Sequence, residues 1–333
     1  MATSTRARAA RGRRRRADHA APVLALDIGG TKLAAGVVGA DGDVRSFLVV
    51  PSEAARGPEP TLDRLFQLAR RAVDESSVPW PEIRAIGIGC GGPLDAERGV
   101  LLAPPHLPGW RDVPIGLLAE RELERPATLE NDATAAAAGE HRWGAGAGTR
   151  NMVYLTLSTG VGGGVVIDGR LYRGARGNGG ELGHVTVDWR GRPCRGCGRR
   201  GCLEAYVSGT SIAERARELG LELTTAEEVA AAARAGEPTA TRVWDETVEA
   251  LACGLTSIVN LFEPELVVIG GGVSRSGEQL LAPVRELVRA SAMRPAGESV
   301  EMLASPLGER VGVVGAAAIV YDRAELEAAH GNG

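Results

Sequence analysis

Long apolar runs are the first thing this 333-residue sequence lacks. None reaches the roughly 18 residues of a membrane-spanning helix, although 44% of the chain is apolar. That excludes a spanning helix, and 24% charged residues fit an ordinary globular protein. Cysteine is sparse as well. Five residues, an odd number with three of them between Cys194 and Cys202, do not make a disulfide framework, so the expected compartment is a reducing cytoplasm. Aromatic residues are only 4% against 46 glycines, which predicts tight turns and close backbone approaches, as suits a protein that handles phosphates. Net charge is small, −4, but unevenly spread. Arg6 to Arg16 (RARAARGRRRR) is basic and aperiodic, and predicts a disordered, solvated tail over residues 1–20. The apolar stretch after it is interrupted by Asp18, Asp27 and Lys32, so it is not a secretion signal.

The length favours about two domains. VLALDIGGTKLAAGVVGADGDV, Val23 to Val44, reads as an apolar strand, a Gly-Gly bend, a second strand and an Asp41-Gly42 turn. The pattern returns in MVYLTLSTGVGGGVVIDGRL, with a Thr159-Gly160 bend and an Asp168-Gly169 turn. Two hairpin-opened halves imply a duplicated α/β fold with two domains around a central cleft. The expected division is 21–131 for an N-terminal α/β domain, completed by a C-terminal helix at 312–323, and 132–311 for a C-terminal α/β domain with a metal loop at 184–202. Leu62, Leu65, Phe66, Ala69 and Val73 fall on one helical face, as do Trp244, Val248, Leu251, Leu255, Ile258 and Phe262 in a helix that Pro264 ends. Thr225 and Glu228 form a capping-box pattern. Cys90 and Cys253 lie in apolar surroundings and are expected in the core.

Asp27, Gly29, Gly30, Thr31 and Lys32 place a carboxylate, two residues without side chains, a hydroxyl and a cation at one strand end. Such a bend can present N–H groups to phosphate oxygens, and its carboxylate can hold Mg²⁺ through water. Most Gly-Gly bends are only turns. The odds rise because a second bend carries Thr159, Gly160 and Gly162 and a third carries Gly271 and Gly272. Two bends can clamp a triphosphate, and the third can lie flat against an adenosine. Asn131 and Asp132 open an Ala-rich helix, where either is a good cap or one of them is a general base. His184, Cys194, Cys197 and Cys202 supply four ligands for a tetrahedral structural Zn²⁺. A redox Cys-x-x-Cys is the rival reading, but it leaves the third cysteine and the histidine without a role.

With these pieces in place, in this order, the chain resembles the ROK family of sugar kinases, open reading frames and sugar-responsive repressors. The resemblance runs from Val23 to about Tyr321 through DIGGTK, GIGCGGPLD, LPGW, END, LSTGVGGG, ELGH, GCLE and VVIGGG. It implies a duplicated actin-like (ribonuclease H-like) ATPase fold and an ATP-dependent kinase acting on the 6-hydroxyl of a hexose, foremost glucose. It further implies ATP clamped by the Asp27 and Thr159 bends, Asp132 as the base, and Gly92, Asn131, Glu181, His184 and Glu204 as sugar contacts. One imidazole nitrogen of His184 would hold zinc while the other faces the sugar. Small-molecule sugar and ATP are the expected partners, with a homo-oligomer of two or four chains. Other acceptors are N-acetylmannosamine, N-acetylglucosamine, fructose or a cyclitol. The rival function is a repressor, disfavoured because only 22 residues precede the first strand, too few for a helix-turn-helix module, which also argues against specific nucleic-acid binding. Two departures stand out: the family usually has Cys-x-Cys where this chain has Cys194-Arg195-Gly196-Cys197, and often Asn where it has His106.

Overall fold

The computed structural model describes residues 21–330, so the arginine-rich tail lies outside the described residues. The described chain forms two compact units. One runs to Trp143 and resumes at Arg310; the other is Gly144–Glu309.

The first unit is built on β1 (Val23–Ile28), β2 (Lys32–Val38), β3 (Val44–Pro51), β4 (Ile86–Cys90), a small ribbon of β5 (Leu94–Asp95) with β6 (Val100–Leu101), and β7 (Ala127–Asn131). The main sheet has the order β3-β2-β1-β4-β7. β1 is antiparallel to β2 and parallel to β4, and β4 is parallel to β7. Strands buried on both faces read as continuous apolar runs, which is why VLALDI and IGIGC carry so few polar residues. Leu24, Leu26 and Ile28 share a cluster with Leu62, Leu65, Phe66, Ala69 and Val73 of the helix Pro58–Glu75. On the opposite face the helix Val311–His330 crosses β4 so closely that a Cβ on Gly87 would collide with the carbonyl of Ala316.

The helix Asp132–Trp143 belongs to this unit too. Division by sequence placed it after the domain boundary at residue 131. The contact that holds it in the first unit is between small residues: a Cβ on Gly139 would lie 2.9 Å from Gly315 N, and one on Gly315 would meet Ala135. The pairing joins residues some 180 positions apart, and nothing local announces it.

The second unit repeats the plan with β8 (Met152–Leu157), β9 (Val161–Ile167), β10 (Arg170–Leu171), β11 (Leu266–Gly270) and β12 (Glu301–Ala304), ordered β10-β9-β8-β11-β12. β8 is antiparallel to β9 and parallel to β11, which is parallel to β12. The same order with the same strand senses is the duplication of the actin-like α/β fold. Asp168 and Gly169 both have positive φ, 51° and 74°, as the two-residue turn joining β9 to β10 requires. Thr225 and Glu228 make the capping box in both directions. Trp244, Val248, Leu251, Leu255 and Ile258 of the helix Pro238–Phe262 are buried, and Phe262 is partly so. Cys90 is buried as expected, but Cys253 is exposed. Two positions beyond Leu251 is about 200° around a helix, which turns Cys253 away from the core despite its apolar neighbours. Among the described residues, no helix is long and apolar enough to cross a membrane.

Candidate functional site

In the first unit, Asp27 sits one residue before the end of β1, beside Ala34 on β2 and Gly89 on β4. Gly29 N–H donates to the Lys32 carbonyl at 2.9 Å, closing the bend. Ser52 ties its outer side, donating its N–H to the Thr31 carbonyl and its hydroxyl to the Gly30 carbonyl. Thr31 and Lys32 are exposed. The Asp27 carboxylate is packed over Gly312, where any side chain would collide with it. Burial, and secondarily the negative charge of Asp132, raise the Asp27 carboxyl to about 7.

Asp132 lies where β7 gives way directly to a helix. The capping role falls to its neighbour: Asn131 Oδ1 accepts from the N–H groups of Ala133 (3.0 Å) and Thr134 (3.1 Å). Asp132 accepts from the Ala133 N–H at 2.8 Å, a donor it shares with Asn131, and from its own backbone N–H. With the cap held by Asn131, Asp132 is available for something else. Its side chain keeps access to solvent, and desolvation on the protein side pushes its carboxyl upward while the Ala133 N–H and the nearby His106 pull it down. Gly92 approaches the amide nitrogen of Asn131, so these two expected sugar contacts do come together. His106 is wedged against glycines: a Cβ on Gly91 would lie 2.6 Å from its Cε1 and one on Gly30 2.7 Å from its carbonyl oxygen. Its Nε2 stands 4.0 Å from Cys90 Sγ.

In the second unit, Thr159 and Gly272 line one cavity of about 380 Å³. Ser158, Gly209, Thr210 and Thr225 also line it. The sequence places Ser158 in the same bend as Thr159 and Thr225 at a helix cap, but sequence reading does not bring Gly209 and Thr210 to them. The available signal was the pair of polar helix starts, with Ser208 capping Gly209–Glu218 and Thr225 capping Ala226–Arg234, which turns N–H-rich ends toward the cavity. Gly271 does not line it but makes it possible: its φ is +86° and a side chain there would strike the Leu157 carbonyl. Gly160 faces Glu204 instead, and Gly162 lies within β9 opposite Thr156.

The four expected metal ligands converge. One ligand atom from each of His184, Cys194, Cys197 and Cys202 lies within 4.8 Å of every other. Cys197 and Cys202 sulfurs are 3.5 Å apart, and Cys194 Sγ is 3.7 Å from His184 Nδ1. Metal–sulfur bonds of about 2.3 Å in a tetrahedron separate sulfurs by slightly under 4 Å, so the donor set fits a soft or borderline divalent ion. The extra residue of Cys194-Arg195-Gly196-Cys197 is absorbed in a turn: Gly198, with φ +73°, donates to the Cys194 carbonyl, and Cys194 N–H donates to Arg199. His184 Nε2 points the other way, 4.0 Å from Glu181 Oε2.

Comparison with known proteins fits this geometry. Residues 23–323 match the model of the ROK family. A glucokinase of Thermotoga maritima is 38% identical over 315 residues, 90% of this chain and 98% of that protein. A ROK hexokinase from Thermus thermophilus superposes with a TM-score of 0.78 at 39% identity, covering 91% of this chain and 99% of its own. A ROK family glucokinase from Streptomyces griseus, solved with glucose and AMPPNP, gives 0.77 at 34% identity over 90% and 98%. With its family's model spanning nearly the whole described chain and relatives alike from end to end, this protein belongs to the ROK family.

Proposed function

We propose that the protein is an ATP-dependent hexose kinase of the glucokinase type, transferring the γ-phosphoryl group of ATP to the 6-hydroxyl of glucose. The observation that carries this reading is the division of roles at the Asn131–Asp132 junction. Asn131 accepts both cap hydrogen bonds, so the helix start does not depend on Asp132, whose carboxyl is raised by burial and whose one bond to the helix is shared with Asn131.

Phosphoryl transfer asks a protein for alignment, charge neutralisation and a destination for the hydroxyl proton. Asp132 takes that proton from the sugar hydroxyl as its oxygen attacks the γ-phosphorus and ADP leaves. Asn131 and Gly92 hold the sugar on one side of the base. Glu181, His184 and Glu204 accept or donate to the remaining hydroxyls. Ser158 and Thr159, which line the cavity, offer donors to the phosphates, as do Gly30, Thr31 and Lys32, while Gly29 closes its own bend and Gly271 and Gly272 keep a flat wall for the adenosine. Asp27 would hold Mg²⁺ through water, and the ion when bound neutralises phosphate charge. His184, Cys194, Cys197 and Cys202 would hold Zn²⁺, which when bound stiffens the loop. Held through Nδ1, which lies beside Cys194 Sγ, the imidazole would be fixed with Nε2 left for substrate. A coupled assay of ATP consumption over a panel of hexoses and N-acetylhexosamines tests the reading. Glucose should be phosphorylated at the highest kcat/KM, and no turnover with any sugar would refute it.

A further inference from the structure

We infer that Glu204 is a positioning residue that ties the phosphate-side bend Ser158-Thr159-Gly160 to the Cys/His loop, so that nucleotide affinity depends on it even with no sugar present. The inference rests on the kinase reading above and adds to it a task for Glu204 separate from sugar contact.

The side chain reaches in two directions. Its Oε2 accepts the N–H of Val161 at 3.0 Å, the residue that follows the bend and opens β9. Its Oε1 lies 3.3 Å from Cys194 Sγ, where a thiol can donate to it, and packs on Gly196, a contact that remains when Cys194 serves as a thiolate ligand. The backbone of Glu204 is itself anchored, since its carbonyl accepts from the Ser211 hydroxyl at 3.0 Å and from Ser208 N–H. The carboxylate thus spans two loops whose residues are more than 30 positions apart.

Two glycines make independent room for it. A Cβ on Gly160 would stand 2.8 Å from Oε2, and one on Gly196 would stand 2.5 Å from Oε1 and 3.1 Å from His184 Cε1. Neither glycine has a positive φ, so the backbone does not demand glycine at either place. Space for the carboxylate does. Gly196 lies in the Cys194-x-x-Cys197 insertion, so the longer loop ends by pressing against Glu204. A carboxylate has about four acceptor sites, which leaves lone pairs for a sugar hydroxyl. The bend side of the tie is where Ser158 and Thr159 face the cavity. Without the Val161 bond, the donors on that bend lose the support that holds them in register.

Calorimetric titration with AMPPNP, at fixed Mg²⁺ and without sugar, tests this on the intact protein and on the variants Glu204→Ala, Glu204→Gln and Gly196→Ala, each checked for wild-type melting. Loss of a hydrogen bond to a charged group predicts that Glu204→Ala binds the analogue about tenfold more weakly or worse. Glu204→Gln keeps an acceptor oxygen for Val161 and should stay within about threefold. Gly196→Ala displaces the carboxylate without touching any acceptor, and should weaken analogue binding while every loop residue remains. A residue that only contacts sugar predicts unchanged analogue affinity in all three. If wild type phosphorylates glucose but Glu204→Ala binds AMPPNP as tightly as wild type, the tie is refuted and the kinase reading stands. If wild type itself neither binds AMPPNP nor turns over glucose, both fail.

Discussion

The bend at Asp27–Lys32 and the bend at Ser158–Gly164 grow from the same strand pair in the same sheet order, yet they are equipped for different work. The first ends in ionisable groups: the charge of Asp132 helps to raise the Asp27 carboxyl, with His106 and Cys90 beside them. The second has no carboxylate of its own. It borrows Glu204 from a later helix and stands beside a cavity lined by helix starts. Duplication thus preserves backbone geometry, while side chains divide the tasks. On the proposed reading the first unit would do the proton chemistry and the second would hold and aim.

The largest expected effect falls on the first unit. Asp132→Asn keeps a similar size and leaves the Asn131 cap untouched, so turnover should fall about 10²–10⁴-fold with little change in melting temperature. Steady-state kinetics beside a thermal melt checks this, and parental turnover would move the base elsewhere.

In the second unit the corresponding break is Cys202→Ser. Elemental analysis should find about one zinc per wild-type chain and less in the variant, and glucose affinity should weaken about 10–100-fold as His184 loses its fixed aim. Unchanged metal content and affinity would detach the Cys/His cluster from the sugar.

Glycine substitutions sharpen the comparison at the third bend. Gly271→Ala forces a side chain onto φ +86° and against the Leu157 carbonyl, a cost of about 1–3 kcal/mol or more that a denaturant melt would read. At Gly272 nothing lies within 4 Å of a new Cβ, and Gly272→Ala should stay within about 0.5 kcal/mol. Equal effects would mean that the bend tolerates what its geometry forbids.

A pH dependence completes the comparison. The Asp27 carboxyl titrates near 7 when folded and near 3.8 when exposed, so the native state binds more protons between those values and loses stability as pH rises through them. Asp27→Asn removes the ionisation. It should melt above wild type at pH 8, with the gap closing as pH falls toward 4. A gap that widens toward low pH would mean that the carboxylate is stabilised in the fold.

Much of this was legible in the sequence because it is local. Asp168-Gly169 announces its turn, the stripe from Trp244 to Ile258 announces a buried face, and the four ligands between His184 and Cys202 announce a cluster. What stayed hidden depends on distant neighbours. The helix after Asn131 was assigned to the wrong side of a boundary because its partner, Gly315, lies at the far end of the chain. Cys253 looked like core because its neighbours are apolar, while only the helical angle turns it outward. The identity of the cap was undecidable, since Asn and Asp are equally good caps until hydrogen bonds assign one. Glu204 could be matched to a motif, but its reach to Val161 needed two loops folded against each other.

The division of labour is tested most directly by measuring glucose affinity and single-turnover rate side by side for Asp132→Asn and Cys202→Ser. The account predicts a crossed result. Asp132→Asn should bind glucose within about threefold of wild type but transfer phosphate at least about 100-fold more slowly, whereas Cys202→Ser should bind weakly yet transfer at near the wild-type rate once saturated. Two variants that lose affinity and rate in parallel would contradict it.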